Sequence, residues 1–122
     1  MKRENPRAHR LADQIQRELS DLLRSEVKDP RVGQVTITGI DVSADFSRAK
    51  VRVTHLAGRD QSSEALEGLR RAAGFLRSQL AQRLSVFTVP QLVFEYDDSI
   101  EAGIRLSSLI DQAIAEDRKH DS

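Results

Sequence analysis

Apolar residues recur along this chain in two rhythms, and the places where the rhythm changes mark out its elements. Ala8, Leu11, Ala12, Ile15, Leu19, Leu22, Leu23 and Val27 keep the three-and-four spacing of one helix face. Asn5 is placed to cap such a helix and Pro6 to occupy its first position. The spacing therefore predicts a helix over Pro6–Lys28, stopped by Asp29-Pro30, because the residue before a proline is pushed out of the α region. From Gln34 to Ser43 the rhythm shortens to two. Val35 and Ile37 share one face while Ile40 and Val42 fall on the other parity, so Gly39 predicts a bulge that restores the phase. After a turn around Asp41–Phe46, a second strand runs from Arg48 to Leu56. Ala49, Val51 and Val53 point one way and Arg48, Lys50, Arg52 and Thr54 the other, as in an antiparallel sheet with one face in solvent or on a partner.

Helical spacing returns after the polar loop Gly58–Ser62. Ser63 is the expected cap, with Glu64 and Glu67 in the first turn where the helix dipole favours acids. Leu66, Leu69, Ala73, Leu76, Leu80 and Leu84 form one stripe that reaches about Ser85, interrupted at Ala72-Ala73-Gly74. A glycine costs about 1 kcal/mol relative to alanine inside a helix. Such a penalty implies a local reason: a kink, a tight contact, or close approach by another molecule's backbone. Val89-Pro90 introduces a third strand, Gln91–Tyr96, with Leu92, Phe94 and Tyr96 on one face. Beyond Asp97-Asp98-Ser99, the positions Ile100, Ile104, Leu109, Ile110, Ala113 and Ile114 predict a last amphipathic helix, and the charged tail from Glu116 is expected to fray.

The resulting order is helix, strand, strand, helix, kink, helix, strand, helix. It predicts an α+β domain over residues 6–98 with helices gathered on one face of a small antiparallel-rich sheet. A basic arm precedes it over 1–5, and the C-terminal helix and tail follow over 99–122.

At 122 residues, 39% of them apolar, the chain is long enough for one domain with its own core. Its 19 basic and 19 acidic residues cancel, so any electrostatic role must rest on local distribution. There is no cysteine, hence no disulfide framework and no thiolate metal site. No apolar run approaches the roughly 18 residues of a membrane span, and the basic N-terminus lacks the apolar stretch of a secretory signal. A soluble, intracellular chain is expected.

Catalysis finds no foothold. His9, His55 and His120 sit in no nucleophile pattern or metal spacing, and no phosphate loop or dinucleotide fingerprint occurs, so no metal and no cofactor are expected. Three groups of cations are candidates for nucleic acid. Arg70, Gly74 and Arg77 share one helix flank, where a backbone could approach the glycine while the guanidiniums take phosphates one turn either side. On the residues alone, solvated flank arginines covering the core are the somewhat better-supported reading. Arg71 points away from the stripe and is a weaker candidate, and Arg83 follows further along. Arg48, Lys50 and Arg52 form a row that is either a solvated strand face or a second phosphate surface. Lys2, Arg3, Arg7 and Arg10 make the N-terminus locally basic.

Asp29-Pro30-Arg31 reads as a structural corner, with Arg31 within reach of the first helix's carbonyls. The acids Glu95, Asp97, Asp98 and Glu101 read as a cap, from Asp98 or Ser99, and a first helical turn more readily than as a Mg²⁺ site. Aromatics are only 4% of the chain, and most of Phe46, Phe75, Phe87, Phe94 and Tyr96 sit at core-phase positions. Base stacking is therefore not expected to dominate, which favours recognition of folded RNA by shape and backbone.

The element order is that of type II KH domains, and the local residues narrow it. Val27-Lys28-Asp29-Pro30-Arg31, Val35-Thr36-Ile37-Thr38 leading to Val42-Ser43-Ala44-Asp45, Arg48-Ala49-Lys50-Val51, Ala72-Ala73-Gly74-Phe75-Leu76-Arg77, Val89-Pro90-Gln91-Leu92-Val93-Phe94 and Asp97-Asp98-Ser99 occur in sequence. Together, from about Arg7 to Leu109, they resemble the bacterial ribosome-binding factor A family. In that family an Ala-x-Gly kink replaces the Gly-x-x-Gly loop of ordinary KH domains, and here no two glycines stand three apart. A non-enzymatic monomer is expected, and the resemblance implies a cytoplasmic factor that binds the free small (30S) ribosomal subunit and its 16S rRNA late in maturation. It also implies a part in processing the rRNA 5′ end and in cold adaptation. It shifts the weight at Arg70, Gly74 and Arg77 toward RNA contact. The mixed-charge tail Glu116–Ser122 departs from the basic tails of some relatives. A generic KH-type RNA chaperone and a protein-binding module using the charged strand face are the alternatives.

Overall fold

The structure, a computed structural model, describes residues 6–27, 30, 32, 34–86 and 88–121, the last three by their backbone alone. Asn5, Lys2, Arg3, Asp29, Arg31 and Phe87 lie outside the described residues, so the expectations placed on them have no structural counterpart here.

Helix α1 spans Pro6–Ser25 and buries Ala8, Leu11, Ala12, Ile15, Leu19, Leu22 and Leu23, the face its periodicity marks out. It ends before the expected Lys28. The N–H groups of both Glu26 and Val27 turn back to the Leu22 carbonyl, at 2.8 and 3.2 Å, and Val27 folds against the core. Strands β1 (Val35–Val42) and β2 (Arg48–His55) pair antiparallel. Ile37 stands opposite Val53 and Gly39 opposite Arg52, which leaves Thr38 as the extra residue of a bulge. The bulge brings Ile37 and Ile40 to the same buried face, as the parity change requires. The connecting turn is knotted around Asp45. Its Oδ1 accepts from the Ser43 and Ser47 hydroxyls, both at 2.7 Å, and from the Ser47 N–H at 3.0 Å. These donors hold the Asp45 carboxyl at about 2, below the usual carboxylate range.

Helix α2 spans Ser62–Arg83. Two expectations change here. Ser63 is not its cap: a short 3₁₀ turn, Arg59–Gln61, feeds straight into the helix, and the buried Ser62 hydroxyl donates to the Arg59 carbonyl at 2.6 Å. Ala72-Ala73-Gly74 lies inside one continuous helix rather than between two. A single glycine weakens a helix by too little to end it when Leu69, Leu76 and Leu80 on either side are fully buried.

Strand β3 (Gln91–Tyr96) joins the sheet parallel to β2, giving the order β1-β2-β3 with β3 at an edge. The sheet is thus half parallel, because α2 carries the chain back across it before β3 begins. α1 lies over β1 and α2 over β3 on one face, and the two helices touch. Between helices and sheet sits one core that includes Ile15, Leu19, Val51, Val53, Leu76 and Phe94.

Helix α3 runs Ser99–Asp121, through both Gly103 and the stretch expected to fray. Asp98 stands at its N-cap, its carbonyl accepting the Ala102 N–H at 2.8 Å, but the side-chain bond to the helix start comes from Asp97. Its carboxylate accepts the Ser99 N–H at 3.0 Å and the Thr38 hydroxyl at 2.6 Å, while Asp98 is taken by Arg59 at 3.0 Å. Among the described residues, no three histidines or acids are grouped to hold a metal ion.

Candidate nucleic-acid interface

With Leu69, Ala73 and Leu76 along the core-facing stripe of α2, the residue after each lies about 100° round the helix. That rotation puts Arg70, Gly74 and Arg77 on the flank that meets β3. The strand offers that flank an open edge. Its odd residues face β2, as the Gln91 N–H to the Ser47 carbonyl (3.0 Å) and the Asp97 N–H to the Val53 carbonyl (2.7 Å) show. The peptide groups of Leu92, Phe94 and Tyr96 therefore turn outward, toward the strip between β3 and α2.

Arg77 Nε donates to the Val89 carbonyl at 2.9 Å, and Arg70 Nη2 reaches the Phe94 carbonyl at 3.4 Å, the outer limit of such a bond. Each guanidinium has five N–H donors, so one bond apiece fixes its place and leaves most of its donors facing outward. Among the described residues no acid pairs with either. Gly74 is exposed between them, and a Cβ built there meets nothing within 4 Å. The result is an open strip of small-residue helix bounded by two cations roughly 10 Å apart along the axis. A phosphodiester chain fits it on charge and on access.

The other candidates separate. Arg71 is held by Glu67 one turn back, at 3.1 Å. Arg83 is no part of a cradle: it reaches across to α1 and binds Asp21 at 2.7 Å and Glu18 at 3.1 Å. Those bonds raise the pKa of Arg83 and lower that of Asp21. The strand row does not join the α2 strip. Ala49, Val51 and Val53 face the helices, so Arg48, Lys50 and Arg52 lie on the opposite face of the sheet. Arg48 and Lys50 are exposed without an acid partner among the described residues, but Arg52 is half-buried and paired with Asp41 at 3.4 Å. Arg7 and Arg10 are exposed on the first turns of α1, and Pro30 is exposed in a turn.

Sequence reasoning missed Phe75. Among aromatics expected mostly at core phase, it is 45% exposed next to Gly74. The signal was available, since a position six past Leu69 and one before Leu76 falls outside the leucine stripe. Arg17, exposed on α1 and likewise without an acid partner among the described residues, was also passed over.

The profile described as "Ribosome-binding factor A" matches residues 7–110. The chain belongs to the ribosome-binding factor A family. The member from Thiobacillus denitrificans is 54% identical over 98% of this chain and 97% of its own length. The crystal structure of ribosome-binding factor A from Thermus thermophilus superposes with a TM-score of 0.65 at 28% identity, covering 73% of this chain and 93% of that one. A homology model of the Thermus factor, fitted into the cryo-EM map of its complex with the 30S particle, matches with a TM-score of 0.62 at 28% identity, over 75% of this chain and 96% of that one. The family is one of ribosome-binding factors, and the fold seen here is similar to that of its solved members.

Proposed function

We propose that this chain binds the free 30S subunit through its 16S rRNA and assists late maturation, including processing of the rRNA 5′ end. It acts in the cytoplasm, as a monomer, without catalysing a reaction. The family supports the ribosomal partner, and the relative fitted into a 30S map supports the particle. The observation that carries the RNA contact is the strip of Arg70, Gly74 and Arg77 beside the open edge of β3. Both guanidiniums are pre-positioned by backbone carbonyls, Phe94 of β3 and Val89 just before it, so little of their freedom is lost when phosphates arrive. With little aromatic surface on offer, recognition is of folded RNA by backbone and shape.

The mechanism is conformational. A factor that binds one folded state of the RNA better than its alternatives shifts the population toward that state. Misfolded RNA helices persist longer in the cold, so the effect is largest there. Arg48 and Lys50 on the far sheet face, with Arg7 and Arg10 on α1, are further phosphate contacts within this proposal.

Co-sedimentation with purified free small subunits across a salt series tests the strip. Arg70→Ala with Arg77→Ala should weaken binding and lower the salt slope by roughly 1 per residue removed. Unchanged affinity and slope would move the contact to Arg48 and Lys50. Equal binding to unstructured RNA would favour a generic RNA chaperone instead.

A further inference from the structure

Helix α3 is fixed firmly at one end and bare along the rest. Its entry and first turn are held at three points: Asp97 by Thr38 at 2.6 Å, Asp98 by Arg59 at 3.0 Å, and Glu101 by the Tyr96 hydroxyl at 2.5 Å. These bonds reach β1, the 3₁₀ turn and the end of β3, so the helix leaves the domain in a set direction. From Ala102 onward every described side chain is exposed. Ile104, Leu106, Leu109, Ile110 and Ile114 are between 47% and 62% exposed. Leu106, Ile110 and Ile114 recur every fourth residue along one stripe, with Leu109 beside it. Together these side chains present on the order of several hundred Å² of apolar surface, the size at which a patch on a soluble protein marks an interaction site.

Charge and spacing decide what covers it. Acids outnumber bases along the helix, Glu101, Asp111, Glu116, Asp117 and Asp121 against Arg105, Arg118 and Lys119. A phosphate backbone is therefore repelled where the α2 strip attracts it. A second copy of α3 fits poorly too. The heptad seam through the stripe reads Gly103, Leu106, Ile110, Ala113, Asp117, with small residues and an acid where a two-stranded seam needs large apolar ones. We infer that α3 is a docking arm whose Leu106–Ile110–Ile114 stripe enters an apolar groove rimmed by basic residues on a protein of the small-subunit particle. This rests on the ribosomal reading above, and adds a protein contact to its RNA contact. Helix-in-groove recognition needs this arrangement: a stiff amphipathic helix with anchors one turn apart.

Two measurements with purified free small subunits test it. A photo-crosslinking residue is placed at position 106 and, in a separate chain, at position 78, one turn from Gly74 on the exposed face of α2. Position 106 should give an adduct with a basic protein, and position 78 one with rRNA. An adduct from 106 to RNA or to a second copy of the chain overturns the inference, as does none at all, while the RNA adduct at 78 keeps the ribosomal reading intact. If neither position crosslinks, both fall. Leu106→Ser with Ile110→Ser should weaken subunit binding about tenfold, the scale of losing two buried anchors, with the melting temperature and the salt slope unchanged. Binding as tight as the parent's would overturn the inference.

Discussion

The Arg52 guanidinium lies across Gly39: a Cβ on that glycine would stand 2.5 Å from Arg52 Nη2. The bulge at Gly39 thus carries a cation from the neighbouring strand, paired with Asp41 at 3.4 Å and with its Nε buried and unpartnered. Because the obstructing atoms are the far end of a flexible side chain, Gly39→Ala should cost stability within about 1 kcal/mol. It should also swing Arg52 out and break the pair with Asp41. Hydrogen exchange at Arg52 Nε, followed by NMR, should accelerate markedly while the melt barely moves. Exchange at the parent rate would mean that the guanidinium does not rest on the bulge.

The cap of α3 makes its attachment sensitive to acid. The Asp97 carboxyl is held at about 2, first by the Thr38 hydroxyl and then by Ser99, against an ordinary value of 3.8. A carboxyl depressed in the folded state stabilises fully above its unfolded pKa, and that contribution is lost as pH falls through the folded value. The contact between α3 and the β1 bulge should therefore hold at pH 4 and loosen between about 4 and 2. The Ser99 amide shift, followed through an acid titration, should show a midpoint near 2. A midpoint near 3.8 would mean that Thr38 does not donate to Asp97.

Much of the fold was legible because its cues are local. The parity change between Ile37 and Ile40 required a bulge whichever partner strand followed, and the stripe from Ala8 to Leu23 required a buried helix face. What the pattern could not show are contacts between residues far apart in the chain. Arg83 reads as a fourth cation near Gly74, yet Glu18 and Asp21, on another helix, claim it. Arg52 reads as the third member of a basic row, yet Asp41 neutralises it across the strand pair. Helical spacing puts Arg70 and Arg77 on one flank, but the carbonyls they meet, Phe94 of β3 and Val89 just before it, depend on that segment docking beside α2. Gly74 shows the other limit: propensity measures how costly a residue is, not whether buried leucines on either side outweigh that cost.

The Arg83 clamp should separate stability from binding. Its side chain is 28% exposed, and its guanidinium bridges two carboxylates. Arg83→Ala should lower the melting temperature slightly, because Glu18 and Asp21 lose their shared cation near the surface. The loss should shrink at high salt. The salt slope of subunit binding should stay at the parent value, since the charge already has partners within the protein. Thermal melts at two salt concentrations beside co-sedimentation would check it. A reduced slope would put Arg83 on the RNA.

Gly74 offers the sharpest contrast between fold and function. It lies in a helix interior, its backbone is not in the left-handed region that among described glycines only Gly58 adopts, and no atom waits within 4 Å of where a Cβ would go. Gly74→Ala should therefore stabilise the chain by about 0.5–1 kcal/mol, through helix propensity and a less flexible unfolded state. Gly74→Leu should also fold, since its side chain points into open space. The two should part on subunit binding. A methyl group intrudes little on the strip between Arg70 and Arg77, but an isobutyl group stands where an RNA backbone would pass, so the leucine variant should bind more weakly than either arginine-to-alanine variant. Unlike them it should leave the salt slope near the parent value, because it obstructs the contact without removing a charge. Melts show whether both variants are folded, and co-sedimentation across a salt series gives affinity and slope. A leucine variant that melts normally and binds like the parent would mean that the face of α2 around Gly74 does not meet RNA.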